Sequence, residues 1–204
     1  MIKCLISDMG NVLVFFDNNI FFKNISPYSC FSTPEIASLF TANSHLLVKF
    51  DLGQITEDEF FNHFKEIMKL KITKDRFFEI YNDIFTYNPE ATEVLRQLKD
   101  KYRLILLSNT DCQRYYFILE KFPQLKFFDA YVVSFQVGVM KPEAKIYHEA
   151  LAKAGCEPQN AVFIDDRQEN VATARSLGLK AIHYQPQKTD LRKELKALGL
   201  AVEE

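Results

Sequence analysis

Four places in this 204-residue chain set chemically capable side chains where an apolar run stops or a helix pattern is about to begin. Asp8 closes the run Ile2 to Ser7 and is followed by Gly10-Asn11. Ser108-Asn109 closes Leu104 to Leu107, Asp165-Asp166 closes Ala161 to Ile164, and Lys141-Pro142 stands ahead of a helix-spaced stretch. A carboxylate at the end of a buried strand can act as a nucleophile, splitting one difficult step into two through a covalent intermediate. Two adjacent carboxylates in apolar surroundings repel unless a cation lies beside them. A hydroxyl and amide ahead of a helix start can hold an anion, and a lysine can neutralise one. Singly, each has an ordinary reading: a turn or capping aspartate, a helix N-cap, a strand-end Ser-Asn pair, a solvated surface lysine.

The elements that must position them are legible as patterns. The three runs above, with Tyr131 to Val133 and Ala181 to Tyr184, are near-continuous apolar segments, as expected for parallel strands covered on both faces. Helix signals separate them. Asn88-Pro89 starts one helix, Pro142 opens another that ends before Gly155, Glu169 to Leu177 is stopped by Gly178, and Asp190 to Leu198 is amphipathic. This alternation predicts an α/β fold, a doubly wound parallel sheet, with ligands bound beyond the carboxyl ends of the strands. Asp8, Ser108 and the Asp165-Asp166 pair would all sit there.

Residues 17–87 break the rhythm. They contain no convincing strand but several helix starts: Thr33-Pro34-Glu35, the capping box Thr56 to Glu59 with its stripe Phe60, Phe64 and Ile67, and Thr73. Thirteen of the 19 phenylalanines lie between Phe15 and Phe85, and there is no tryptophan. The reading is a helical insertion, residues 17–87, in a core made of 1–16 and 88–204. The phenylalanines would build the insertion a small core of its own, with an apolar substrate wall or a subunit contact as the alternative use.

Composition excludes several classes. A net charge of −2 argues against a nucleic-acid binder relying on bulk positive charge. With 48% hydrophobic and 25% charged residues, the chain is neither disordered nor fibrous. No apolar run is long enough to span a membrane, the N-terminal run is too short for a signal peptide, and the scattered Cys4, Cys30, Cys112 and Cys156 suit buried free thiols; the expected location is the cytoplasm. His45, His63, His148 and His183 fit no metal or nucleophile–base spacing.

Taken in order, Asp8, Ser108-Asn109, Lys141 and Asp165-Asp166 resemble the four motifs of the haloacid dehalogenase superfamily, across essentially the whole chain. Asp8 to Val14, Phe50 to Thr56 and Ser108-Asn109-Thr110 look like the branch containing sugar-1-phosphate phosphatases and the phosphatase domain of soluble epoxide hydrolases. The resemblance implies a Rossmann-like core with an inserted helical cap acting as a lid, and hydrolysis of a small phosphorylated metabolite. Asp8 would be the nucleophile, Ser108 and Asn109 would bind phosphate oxygens, and Lys141 would neutralise phosphate and Asp8 together. Mg²⁺ would be held by the Asp8 carboxylate, the Gly10 carbonyl and Asp166, with Asp165 in support. The lid's polar face would come from among Asn18, Asn19, Asn43, His45 and Lys49.

One departure matters. Most phosphatases of this superfamily have a general acid aspartate where this chain has Gly10, and general acid–base catalysis contributes about 10²–10⁴-fold. Three readings follow: a phosphatase whose leaving group needs less protonation or whose acid lies elsewhere, with Asp17 conceivable; a haloacid dehalogenase, whose halide leaves without a proton; or a non-catalytic phosphoryl-ligand binder. The second is disfavoured by the retained acidic pair. Oligomeric state is open in all three.

Overall fold

The structure is a computed structural model and describes residues 1–203. Its elements in chain order are β1 (Cys4–Ser7), β2 (Val14–Phe16), α1 (Asn18–Ile25), α2 (Thr33–Ala42), α3 (Ser44–Asp51), α4 (Glu57–Ile67), α5 (Lys74–Asn82) and β3 (Phe85–Tyr87). There follow α6 (Pro89–Arg96), β4 (Arg103–Ser108), α7 (Cys112–Lys121), β5 (Ala130–Val133), α8 (Ser134–Val137), α9 (Ala144–Ala154), β6 (Ala161–Asp165), α10 (Gln168–Ser176), β7 (Lys180–His183) and α11 (Leu191–Ala197).

Five strands form one parallel sheet in the order β5-β4-β1-β6-β7. Side chains alternate between its faces, as the pleat requires. Cys4, Ile6, Ile105, Leu107 and Phe163 pack with α9 and α10, while Leu5, Leu104, Leu106, Val162 and Ile164 pack with α6, α7 and α11. Both faces are covered, which is why the strands read as unbroken apolar runs. The order places β1 centrally, so the residue after it lies between the ends of β4 and β6.

Between β2 and β3 the chain is helical. α4 begins with a complete capping box, Thr56 and Glu59 each bonding the other's backbone N–H. The start read at Thr33 is capped one residue earlier, by Ser32 with Glu35. The phenylalanines here pack into one another: Phe60, fully buried, stacks on Phe50 at 4.3 Å and meets Phe64 at 4.9 Å and Tyr81 at 5.3 Å. This cluster is not separate. Through Met9, Val12, Leu13 and Ile84 it is continuous with the apolar layer on one face of the sheet.

Three expectations need correction. β3 pairs antiparallel with β2, so residues 17–87 do contain a strand; three residues are too few for periodicity to register. Pro142 does not open α9: a turn closed by Glu143 N–H on the Met140 carbonyl, with the cis Lys141–Pro142 bond inside it, comes first, and the helix begins at Ala144. Of the thiols only Cys4 is buried; Cys30 is exposed, and Cys112 and Cys156 lie between. Among the described residues no helix is long and apolar enough to cross a membrane.

Candidate active site at the carboxyl edge of the sheet

Asp8 continues the line of β1, its N–H donating to the Ile164 carbonyl at 2.9 Å, so its side chain leaves the sheet at a fixed point. The Asp8 carboxylate accepts from its neighbour Met9 N–H at 2.7 Å and lies 2.8 Å from the Lys141 ammonium. Lys141 is 3% exposed, and all three of its Nζ donors are engaged: Asp8, Asp165 at 2.7 Å and the Leu107 carbonyl at 3.0 Å. A buried ammonium persists only when paired and hydrogen-bonded. Here the two carboxylates hold it charged and raise its affinity for the proton against the effect of burial. Burial pushes the Asp8 carboxyl well above the ordinary carboxylate range, with Asp165 acting in the same direction and Lys141 offsetting only part of it.

Asp165 is fully buried and saturated. Besides Lys141 it accepts from the Arg167 N–H and from the Asn170 side-chain amide, one helical turn along. Asp166 is half-buried and faces the cleft, accepting from Asn11 Nδ2 at 2.9 Å, while its own carbonyl receives His183 Nε2 at 2.8 Å. Asn11 has φ 52°, a left-handed conformation that asparagine tolerates better than most residues. One carboxylate oxygen from each of Asp8, Asp165 and Asp166 lies within 4.8 Å of the other two. Three carboxylates against one ammonium leave a deficit of two positive charges. An all-oxygen donor set with that deficit suits a hard divalent cation such as Mg²⁺. Gly10 borders the same cleft, so its carbonyl is available to that set.

The loop after β4 brings Ser108 and Asn109 to the same edge. Ser108 is buried and lines the cleft. Thr110 N–H donates to Ser134 Oγ, and that hydroxyl donates back to the Thr110 carbonyl, tying the loop to the end of β5. The Asn109 side chain is committed to the backbone of Lys141. What it leaves for an anion is its backbone, at the approach to α7.

The cleft holds about 220 Å³ and is also lined by Asp51 at the end of α3, Phe16 and Phe85 on the β2–β3 ribbon, and Arg114 on α7. None of Asn18, Asn19, Asn43, His45 or Lys49 lines it. Asp17 is exposed, caps α1 by accepting from Asn19 N–H, and does not line the cleft. Arg114 lies with its guanidinium 4.0 Å over the Tyr81 ring and 3.9 Å from Asp111, while Tyr81 O–H donates to Asp111 at 3.0 Å. Its Nε and Nη2 are buried with no hydrogen-bond partner among the described residues. Asp51 is pushed up to about 7 by burial and by Asp111, against the pull of Arg114. The sequence singles out the stretch Phe50 to Thr56 without a role for Asp51, and sequence reading misses Arg114 and Tyr81 because the three residues belong to three different helices. Asn170 carried a signal, standing five residues after Asp165 on the next helix.

An open parallel sheet with helices on both faces, its reactive carboxylates gathered at the carboxyl edge, defines a Rossmann-like α/β protein of the hydrolase type. The chain belongs to the haloacid dehalogenase-like hydrolase family, whose model matches residues 2–178. Glyceraldehyde 3-phosphate phosphatase of Methanothermobacter thermautotrophicus is 32% identical over 108 residues, 52% of this chain and 48% of that protein, so the match spans about half of that relative's length. D-ribitol-5-phosphate phosphatase of Bacteroides thetaiotaomicron is 22% identical over 209 residues, covering 96% of this chain and 97% of that protein. A solved HAD family enzyme of the same organism, in complex with magnesium and inorganic phosphate, superposes with a TM-score of 0.82 at 23% identity, covering 94% of this chain and 98% of that one. At this identity the likeness is one of fold.

Proposed function

We propose that the protein is a Mg²⁺-dependent phosphomonoester hydrolase acting on a small phosphorylated metabolite of the sugar-phosphate class. The observation that carries this is the convergence of Asp8, Asp165 and Asp166 within 4.8 Å, with Lys141 the one ammonium between them. Asp8 attacks phosphorus, the bond to the leaving oxygen breaks, and the resulting aspartyl phosphate is hydrolysed by water. Lys141 holds Asp8 in place and offsets the charge that two approaching anions bring together. The Ser108 hydroxyl and the backbone N–H of Asn109 bind the phosphoryl oxygens. Asp8, the Gly10 carbonyl and Asp166 would hold Mg²⁺, which when bound supplies further neutralisation of the phosphoryl oxygens. Asp165, with no face on the cleft, orients Lys141 and anchors the turn after β6. Helices α1–α5 serve as the cap, residues 17–87, closing the cleft and meeting the non-phosphoryl part of the substrate.

Related phosphatases named for sugar and polyol phosphates support the substrate class. The test is phosphate release from a panel of phosphorylated metabolites with Mg²⁺, using Asp8→Asn as the blank. Release that requires Mg²⁺ and disappears in Asp8→Asn is expected. Release that survives either chelation or Asp8→Asn overturns the mechanism, and binding of Mg²⁺ and phosphate without turnover returns the chain to the non-catalytic reading.

A further inference from the structure

An alkoxide leaving a phosphoryl group needs a proton as the P–O bond breaks. Among the described residues lining the cleft, few can supply one. Asp8 and Asp166 belong to the carboxylate cluster that would hold the cation. Lys141 has its three donors committed, and Arg114 and Arg167 stay protonated at any working pH. Position 10 carries no side chain, and no histidine lines the cleft. That leaves Asp51, which lines the cleft as the last residue of α3.

Resting on the phosphatase reading above, we propose that Asp51 is the general acid of this site and then its general base, standing in from the helical side for the side chain that Gly10 lacks. In the first half-reaction an Asp8 oxygen bonds to phosphorus, the bond to the substrate oxygen breaks, and the Asp51 proton passes to that oxygen, leaving Asp51 ionised. In the second, water adds to phosphorus as the bond to Asp8 breaks. The water proton passes to Asp51, which is restored as the acid, and phosphate leaves.

Three observations support the assignment. The Asp51 carboxyl has no hydrogen-bond partner among the described residues, so its proton is not committed elsewhere. Its position is fixed against the core: Gly53, at φ 65°, passes so close to the Phe135 carbonyl that an added Cβ would lie 2.4 Å from that oxygen. And the charged and titratable groups facing it are Asp111 and Arg114 from α7 and Tyr81 from α5, whose balance with burial leaves the carboxyl protonated up to about neutral pH, where a general acid is most effective.

The experiment compares Asp51→Asn with the unaltered protein on an alkyl phosphate that the protein turns over and on p-nitrophenyl phosphate, whose leaving group needs no proton. The expected result is a loss of kcat of about 10²-fold or more on the alkyl ester and less than about threefold on the aryl ester. Asp51→Glu, which keeps a carboxyl, should recover part of the alkyl-ester rate, and it carries the comparison where Asp51→Asn does not fold. Equal losses on both esters, or none on either, overturn the proposal while leaving the phosphatase reading intact. Failure of the unaltered protein to hydrolyse either ester overturns that reading instead.

Discussion

Asn109 grips Lys141 by both ends of its main chain: Asn109 Nδ2 donates to the Lys141 carbonyl and Asn109 Oδ1 accepts from the Lys141 N–H, each at 2.8 Å. The lysine arrives on the segment before α9 and the asparagine at the end of β4, so this amide pair is what registers the two loops. It puts the ammonium between Asp8 and Asp165 without the asparagine side chain touching either.

Asn109→Ala therefore acts through Lys141. Two hydrogen bonds are lost and two backbone groups are left without their partners, which costs roughly 1–3 kcal/mol. A drift of the ammonium by about 1 Å can cost on the order of 10²-fold in turnover. We expect kcat to fall by about 10–100-fold with KM changing less, measured by phosphate release. Unchanged kcat would show that the lysine is placed by its carboxylates alone.

The charge deficit at the carboxylate cluster predicts stabilisation by metal. At a Mg²⁺ concentration ten times its Kd, binding to the native state alone contributes about 1.4 kcal/mol. For a chain of this size that raises Tm by roughly 3–5 °C. Asp166→Asn should abolish the rise while leaving the metal-free Tm close to that of the unaltered protein, because Asp166 is half-buried and not bonded to Lys141. Differential scanning fluorimetry with and without Mg²⁺ checks both statements.

Asp51 gives a stability prediction with a definite sign. Its carboxyl titrates near 7 in the folded chain against 3.8 as the ordinary value. Below about pH 4 it is protonated in both states and has no effect. Between about pH 4 and 7 the unfolded chain loses this proton and the folded chain keeps it, so stability falls as pH rises, and the full penalty stands above pH 7. Asp51→Asn cannot ionise. It should melt several degrees higher than the unaltered protein at pH 8, and at the same temperature near pH 4. A Tm difference independent of pH would contradict the burial of this carboxyl.

Phe60→Ala tests the aromatic cluster. The ring is fully buried among Phe50, Phe64, Phe77 and Tyr81, and its removal leaves a cavity worth about 3–5 kcal/mol. Because this cluster is continuous with the layer under β1, the loss should lower the denaturant midpoint of the whole chain in one transition. A separate early transition would mean that α1–α5 unfold on their own. Phe16→Ala is the contrast: 42% exposed at the cleft mouth, it should change stability by less than about 1 kcal/mol.

The sheet and the ends of its strands are legible in local pattern alone. Parallel strands buried on both faces read as near-continuous apolar runs, so Cys4 to Ile6, Leu104 to Leu107 and Ala161 to Ile164 announce themselves, and the polar residues that close each run are the ones delivered to the carboxyl edge. Asp8, Ser108 and Asp165-Asp166 were legible for that reason. The capping boxes of the helical segment were equally local, since a cap is a contact between residues three apart. Which ammonium stands between Asp8 and Asp165, that Asp51 lines the cleft while Asp17 caps α1 without lining it, and that Tyr81 reaches from α5 to hold Arg114 on α7 are decided by tertiary packing. The two Lys141 ion pairs join side chains 24 and 133 residues apart. They depend on how crossover connections and helices pack, which periodicity along the chain does not record. The short ribbon β2–β3 was hidden for the same reason: three residues acquire a strand's identity only from the partner that pairs with them.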